Sequence, residues 1–272
     1  MEVLIRRRRT LQCIAVGLFV LLVSCGFCGA WRKVDQATTD YTPKLLEEPL
    51  AQERQQTKIA RYGSYSVAYH CGWRQPQWVA YRLDATRLAD VVNRKGVGFR
   101  ADPILKDITL DNQSFKGTGY SRGHLKPAAD SKSSMVAMRE SFYFTNVAPQ
   151  LPRFNSGIWN SLEMWVRRQA ERSDIMYIVT GPCFLDAPLD YMGGTRVPVA
   201  TYFYKALLKR HGNRWSAVGF VVPHNLNRKA KLWEFSLSID RLEKLTDIDF
   251  FPLLADSIES VVEASVVPSD WR

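Results

Sequence analysis

The stretch FTNVAPQLPRFNSGIWNSLEMWVRRQAE, residues 144 to 171, predicts the end of a β-strand followed closely by an amphipathic helix. Aromatic and β-branched residues over 144 to 147 are typical of a strand, and Pro149 marks its end. The helix predicted from Phe154 to Glu171 repeats apolar or buried-type residues at three- and four-residue steps: Ile158, Leu162, Trp165, Val166 and Gln169.

Two polar residues of this helix are candidates for a metal site. Asn155 and Glu163 are eight positions apart, which in a regular helix is about 80° of rotation and about 12 Å of rise. They can share one side of the helix without sharing a tight coordination shell. We therefore expect Asn155 to offer its amide oxygen directly to a hard cation and Glu163 to act through metal-bound water. The alternatives are a helix N-cap for Asn155 and a solvated surface position for Glu163.

Upstream, Ser121-Arg122-Gly123-His124 places a candidate base beside a cation. Imidazole titrates near neutral pH, so His124 can accept a proton from water. Gly123 lacks a Cβ, which allows a tight turn or a close approach to a ligand. Alone, the motif is equally compatible with a turn that carries a surface histidine. With Asn146, Asn155 and Glu163 it fits phosphodiester hydrolysis, which needs a base, a metal ion and cations around phosphate.

The sequence resembles the DNA/RNA non-specific endonuclease family, the ββα-metal nucleases that include secreted bacterial sugar-non-specific nucleases and mitochondrial endonuclease G. The resemblance covers roughly residues 60 to 262. Its motifs are Trp78-Val79-Ala80-Tyr81, Phe99-Arg100-Ala101-Asp102-Pro103, Arg122-Gly123-His124, Thr145 to Gln150, Asn155 to Trp159 with Leu162-Glu163, Ile178 to Pro182, and Leu245-Thr246 with Asp249-Phe250-Phe251.

The resemblance implies roles for individual residues. His124 would be the general base, Asn155 the main ligand of one Mg²⁺ ion, with Mn²⁺ as a substitute, and Glu163 the holder of metal-bound water. Arg100 would support the pentacovalent transition state, although Arg94 and Lys95 lie nearby in sequence. The remaining implied site residues, which shape the site and position phosphate, are Arg122 and Asn146.

The family motif usually begins with aspartate, and this chain has Ser121 instead. Serine removes a negative charge near the base and metal, which predicts retuned or reduced activity with base and ligand retained. The implied reaction is cleavage of DNA and RNA with 5′-phosphate ends. Two alternatives remain open: a catalytically weakened, membrane-tethered nucleic-acid-binding homologue, and an exported phosphodiesterase of smaller substrates.

The N-terminal residues 1 to 31 predict a leader. Arg6 to Arg9 precede an apolar run from Leu11 to Val23, typical of a secretion signal. Leu22-Val23-Ser24-Cys25 resembles a lipoprotein signal, and an extension to Trp31 is long enough for a membrane anchor. All three interpretations export the domain and associate it with a membrane or its outer side. The alternative is a mitochondrial address.

Residues 32 to 58 are polar, which predicts a tether, with a short helix over 45 to 59 as the alternative. Residues 59 to 272 would form the nuclease domain. The whole chain has 37 basic and 27 acidic residues, a net charge of +10, which suits a polyanionic substrate but equally an ordinary soluble surface. The sequence is compatible with a homodimer. Cys71 and Cys183 could form a disulfide or remain free, and His70, His211 and His224 show no ligand spacing.

Short strands joined by irregular links predict an α+β fold with a mostly antiparallel central sheet flanked by helices and a ββα-metal motif. We expect four tryptophans, at 159, 165, 215 and 233, to lie in the core and not to stack on bases. The predicted strands are 65–69, 78–83, 142–146, 175–180, 199–208 and 215–222, and the predicted helices are 84–92, 133–138 and 154–171.

Overall fold

The computed structural model describes residues 42–51 and 56–272. The predicted leader and residues 32 to 41 lie outside this part of the chain. The strands are β1 (Leu50–Ala51), β2 (Thr57–Arg61), β3 (Ser66–His70), β4 (Gln75–Leu83), β5 (Ser121–His124), β6 (Val147–Gln150), β7 (Ile175–Cys183), β8 (Asp190–Met192), β9 (Val197–Val199), β10 (Tyr202–His211), β11 (Arg214–Pro223), β12 (Ser236–Leu237) and β13 (Ile248–Asp249). The α-helices are α1 (Met135–Ser141), α2 (Pro152–Phe154), α3 (Asn160–Glu171), α4 (Ile239–Thr246) and α5 (Asp256–Val262).

A seven-stranded antiparallel sheet forms the centre, in the order β12-β11-β10-β7-β4-β3-β2. Its strands alternate side chains between two apolar layers, as the two-residue period of a strand requires. In β10, Phe203 and Leu207 pack in the layer that contains α3, whereas Tyr204 and Leu208 pack in the layer that contains α4. The predicted α+β class with a mostly antiparallel sheet is confirmed.

The ββα motif lies outside the central sheet. β5 and β6 pair antiparallel as a separate two-stranded sheet, and the chain leaves β6 directly into α2 and α3. Val147 of β6 packs in a small apolar cluster with Phe144 and Val199. The motif is therefore held between its own small core and the central sheet.

Four of the predicted elements differ from the structure, and one of them, the helix 154–171, is interrupted at Asn155–Trp159. Residues 84–92 form turns and no helix, because Val91 and Val92 donate their backbone N–H groups to Lys132. The strand predicted at 142–146 begins instead at Val147, because Phe144–Asn146 form a 3₁₀ turn in which the Asn146 N–H bonds to Tyr143. Residues 199–208 belong to two strands, β9 and β10, that lie in different sheets.

The folded part begins before the predicted boundary at residue 59. β1 pairs with β13, and β2 starts at Thr57. Glu48 is fully buried, where it accepts hydrogen bonds from Ser66 Oγ at 2.6 Å and Arg61 Nε at 2.7 Å. A paired buried carboxylate and a strand pairing therefore fix residues 44 to 51 to the domain, within the segment 32 to 58 for which a tether was predicted. The alternative helix over 45 to 59 is not formed in its described residues.

The four tryptophans only partly follow the prediction. Trp159 is fully buried, whereas Trp165 and Trp215 are half-buried and Trp233 is 36% exposed. Trp165 of α3 and Trp233 pack edge to face, with 5.6 Å between their ring centroids, so Trp233 covers part of the apolar layer beside α3. Among the described residues, no helix is long and apolar enough to cross a membrane.

Candidate active site

The β5–β6 pair sets the position of the histidine motif. Ser121 lies opposite Gln150 and His124 opposite Val147 in an antiparallel register. Gly123 is required by close approach and not by a turn, because a Cβ at this position would lie 2.2 Å from Gln150 Cδ. Arg122 and His124 are two residues apart on an extended strand, so they lie on one face.

The His124 ring lies against two phenylalanines. Its centroid is 4.8 Å from those of both Phe99 and Phe142. His124 Nε2 is buried and makes no hydrogen bond to the described residues, which leaves Nδ1 as the nitrogen able to meet a water molecule. Burial, and to a lesser extent the charge of Arg94, lowers the pKa of His124 to about 3. The ring is therefore neutral at pH 7, the form in which it can accept a proton.

Two guanidinium groups lie on these phenylalanines. Arg122 lies over the Phe99 ring at 5.1 Å and donates to Asn112 Oδ1 at 2.7 Å. Arg94 lies over the Phe142 ring at 5.4 Å. The two aromatic rings around His124 thus each carry a cation, which gives this surface a positive character suited to phosphate.

The third arginine, Arg100, is positioned by its backbone. It donates its N–H to the Phe142 carbonyl at 3.1 Å and accepts from the Phe144 N–H at 3.2 Å. Its half-exposed side chain makes one intramolecular hydrogen bond, Nε to the Gly98 carbonyl at 3.3 Å. The Arg94 guanidinium lies over a ring that packs against His124, whereas Arg100 is tied to that region through its backbone bonds to Phe142 and Phe144.

Asp102, two residues beyond Arg100, is a supporting residue to which the sequence argument gave no role. It is fully buried and accepts from the N–H groups of Ile104 at 2.7 Å and Leu105 at 2.9 Å. It also accepts from the hydroxyl of Tyr62, and from that of Thr145 at 2.5 Å. This carboxylate ties the arginine loop to the chain that enters β6. The dipeptide Asp102-Pro103, which is typical of a turn, was the sequence signal that could have pointed to this residue.

The Asn146 side chain makes its hydrogen bonds inside the protein, and its predicted contact with phosphate stays a prediction. Its side chain is fully buried. Its amide Nδ2 donates to the carbonyls of Lys126 at 2.9 Å and Ser141 at 2.8 Å, and Oδ1 accepts from the Lys126 N–H at 2.8 Å. With its hydrogen-bonding capacity used inside the protein, Asn146 is a positioning residue for the chain after His124.

Asn155 begins an irregular turn between α2 and α3. Residues Asn155–Trp159 form a π turn, and the Gly157 backbone departs from helical values at φ −99°, ψ −112°. The backbone break at Gly157 interrupts the helix between Asn155 and Glu163, so the rotation of about 80° expected from a regular helix does not apply to this pair. Asn155 does not cap a helix. Its half-exposed side chain makes no hydrogen bond within the described part of the chain.

Glu163 interacts electrostatically with three charged residues, Lys205, Asp130 and Arg167. Burial raises its pKa, and the positive charge of Lys205 opposes that shift. Lys205 is fully buried, with Nζ 3.2 Å from Thr180 Oγ1 and 4.5 Å from the centre of the Trp159 ring. Beside them, Arg167 pairs with Asp130 at 2.8 Å. Glu163 is therefore held among partners of both signs, and the i,i+4 pair Glu163–Arg167 was the sequence signal for this network.

Ser121 lies at the edge of a shallow groove that continues away from the histidine. The groove lining mixes polar, cationic and aromatic side chains: Asn112, Gln113, Phe115, Lys116, Tyr120, Ser121 and Arg122. Because Arg122 belongs to both the groove and the histidine surface, a polymer that contacts one can continue into the other.

His224 and His70 make contacts inside the protein, and neither Cys71 nor Cys183 forms a disulfide. His224 Nε2 accepts from the Leu151 N–H at 2.7 Å, and Nδ1 lies 2.8 Å from the Ala200 carbonyl. His70 stacks on Trp73 at 4.1 Å. Cys71 and Cys183 are free thiols.

A model of the DNA/RNA non-specific endonuclease family matches residues 44–257, most of the chain. The chain belongs to the DNA/RNA non-specific endonuclease family. Its resemblance to that family, first drawn from the histidine and asparagine motifs, is confirmed.

Curated members of the DNA/RNA non-specific endonuclease family are similar over the same region. The mitochondrial nuclease EXOG of Danio rerio is 37% identical over 207 residues, which are 71% of this chain and 60% of that protein. Human mitochondrial endonuclease G is 30% identical over 234 residues, 76% of this chain and 79% of that protein. The chain spans about 60% of the length of the EXOG relatives.

A solved structure shows the same family fold. The crystal structure of an EndoG/EndoGI complex superimposes with a TM-score of 0.68 and 26% identity, covering 74% of this chain and 88% of that one.

Proposed function

We propose that the protein is a metal-dependent endonuclease that hydrolyses phosphodiester bonds in DNA and RNA and leaves 5′-phosphate ends. The observation that carries this proposal is His124, neutral at pH 7, whose Nδ1 can meet water and which is flanked by Arg94 and Arg122. The helix that follows β6, the partner strand of β5, carries Asn155 and Glu163. Family membership supports the same reaction class.

His124 removes a proton from the attacking water at Nδ1. Its low pKa keeps the ring unprotonated, and packing between Phe99 and Phe142 fixes its orientation. The displaced group is the 3′ oxygen of the neighbouring nucleotide. Arg100 and Arg122 oppose the negative charge that grows on the phosphate oxygens during attack.

Asn155 and Glu163 fit a magnesium ion. The free amide oxygen of Asn155 and the carboxylate of Glu163 are hard oxygen donors, and Mg²⁺ keeps several of its waters when it binds to few protein ligands. Asn155 would hold the ion directly and Glu163 through water, with Mn²⁺ as a substitute. The bound ion would supply stabilisation of charge on the departing oxygen.

The substrate surface favours the backbone of a polymer. Arg94, Arg122 and the groove beyond Ser121 offer cations and polar groups, which contact phosphate and sugar without reading bases. This supports a sugar-non-specific nuclease over a phosphodiesterase of small substrates, which would need an enclosing pocket.

Cleavage of plasmid DNA and of RNA by the full-length protein tests the proposal. We expect degradation of both polymers with Mg²⁺ or Mn²⁺, none with EDTA, and a loss of at least about a hundredfold in His124→Ala. His211→Ala is the matched control, because His211 is an exposed histidine in the β10–β11 hairpin. A folded wild-type protein that binds nucleic acid without cleaving it would replace the nuclease by a binding homologue weakened at Ser121.

We propose a mitochondrial location in place of the export first predicted from the leader. The support is that the similar EXOG and endonuclease G proteins are named as mitochondrial. A fusion of residues 1 to 58 to a fluorescent protein tests this in cells. Import into mitochondria is expected, and accumulation at the cell surface or in the medium would restore the secretory or lipoprotein signal and the membrane association that it implied.

A further inference from the structure

Five acidic residues gather between α4, β13 and α5, in the apolar layer on the sheet face opposite α3. They are Asp240, Glu243, Asp249, Glu259 and Glu263. None of the five forms an ion pair with a described residue. Unpaired like charges repel each other, and burial strengthens that repulsion because the interior screens charge less than water does.

Three of these residues converge on a single point. One carboxylate oxygen from each of Asp240, Glu243 and Glu263 lies within 4.8 Å of the others. Asp240 and Glu243 are three residues apart on α4, and so they share one helical face. Glu263 directly follows α5, so the oxygens come from two separate helices.

Glu263 is the group that distinguishes this cluster from a solvated acidic surface. It is 2% exposed, and its Oε1 is buried without a hydrogen bond to any described residue. Its backbone is fixed on both sides, because its carbonyl accepts from the Asp240 N–H at 3.2 Å and its N–H donates to Glu259 at 3.0 Å. A buried carboxyl that is aimed into a cluster of carboxyls and makes no hydrogen bond lacks a partner that a cation would supply.

We propose that Asp240, Glu243 and Glu263 bind a calcium ion that fastens α5 to α4. The ligands are all carboxylate oxygens on flexible side chains, with no histidine or cysteine, which suits Ca²⁺ better than Zn²⁺. Calcium–oxygen distances of about 2.4 Å allow ligand atoms on opposite sides of one ion to lie about 4.8 Å apart. Half-exposed Asp240 and Glu243 leave room for water to complete the coordination shell.

Two further carboxyls lie close to the three proposed ligands and add to the negative field that attracts a cation. Asp249 lies on β13, the strand that pairs with β1, and Glu259 lies one turn before Glu263 on α5.

The test measures calcium binding in the full-length protein that carries Asn155→Ala, so that the active-site ligand is absent. Equilibrium dialysis with radioactive Ca²⁺ is expected to give one ion per chain with a dissociation constant of about 1 mM or below. Thermal unfolding should shift upward by about 3 °C or more at ten times that constant. Mg²⁺ should give a smaller shift at equal concentration.

Glu263→Gln in the same background should bind no Ca²⁺, yet unfold in EDTA at a temperature no lower than that of its parent, because it removes a carboxyl from a cluster of like groups. Glu171→Gln, at an exposed position on α3, should bind as the parent does. Asp240→Asn provides a second variant at a half-exposed ligand, with at least a tenfold weaker constant expected. Absence of the bound ion in the parent, or unchanged binding in Glu263→Gln and Asp240→Asn, would overturn the proposal and leave a cluster of carboxyls without an ion.

Discussion

The side-chain amide of Asn146 bonds to both the N–H and the C=O of Lys126, at 2.8 and 2.9 Å. Lys126 is two residues beyond His124, and the intervening Leu125 donates its N–H to the Asn146 carbonyl at 3.0 Å. The chain that leaves β5 is therefore clamped to the chain that enters β6. This clamp fixes the direction in which His124 projects from β5.

Asn146→Ala should destabilise the protein and reduce turnover without removing a phosphate contact. The variant leaves buried backbone groups of Lys126 and Ser141 unpaired, at about 1–3 kcal/mol each. We expect a loss of about 3 kcal/mol or more, seen as a clear drop in Tm in EDTA. Exposed Asn227→Ala is the matched control. An unchanged Tm with a raised KM for DNA would return Asn146 to the substrate surface.

Asn155→Ala should raise the Mg²⁺ concentration needed for half-maximal cleavage by at least about tenfold, since the variant lacks the proposed direct ligand. The measurement is initial rate against Mg²⁺ concentration at fixed DNA. The fold should survive, because the half-exposed Asn155 side chain makes no hydrogen bond within residues 56 to 272. A magnesium titration that matches that of Asn227→Ala would place the ligand elsewhere.

Ser121→Asp should match or exceed wild-type activity. Ser121 borders the groove next to Arg122, where an added carboxylate would restore the negative charge that the family motif usually carries. The comparison is kcat/KM on DNA and on RNA at several Mg²⁺ concentrations, with Ser121→Asn as the neutral control of similar size. A large loss in Ser121→Asp alone would indicate a site rebuilt around serine.

His124→Phe should reduce the acid sensitivity of folding. The pKa of His124 in the folded protein is about 3, below the ordinary value of about 6.5. Between these pH values the unfolded chain binds a proton at His124 that the native protein does not bind. Its contribution to stability is complete above pH 6.5 and is lost as the pH falls from 6.5 towards 3. Tm measured from pH 7 to pH 4 should fall less in the variant, since phenylalanine cannot be protonated. Parallel curves would show that His124 titrates normally.

The local features of the site were readable from sequence because they depend on residue type and short spacing. The helix Asn160–Glu171 and the strands Ser66–His70 and Gln75–Leu83 follow from periodicity and side-chain chemistry. The grouping of the histidine motif with Asn155 and Glu163 stays a prediction. The irregular turn at Gly157 was not predicted, because a π turn leaves the apolar spacing of α3 intact.

The surroundings of Asn146 could not be predicted from sequence. An asparagine next to a catalytic motif has the same sequence signature whether its amide faces phosphate or the interior. Only the approach of Lys126, 20 positions away in the chain, decides between them. The same holds for Glu48. The polar composition around it predicted a tether, whereas in the structure its carboxylate accepts hydrogen bonds from Arg61 and Ser66.

The sequence by itself determined the fold class, the family and the residue types that carry the proposed chemistry, since each is encoded in local pattern. The tertiary structure alone decided the charge state of His124, the inward role of Asn146 and the convergence of Asp240 and Glu243 with Glu263. Burial, pairing and repulsion depend on distances between residues far apart in the chain, and those distances exist only once the chain has folded.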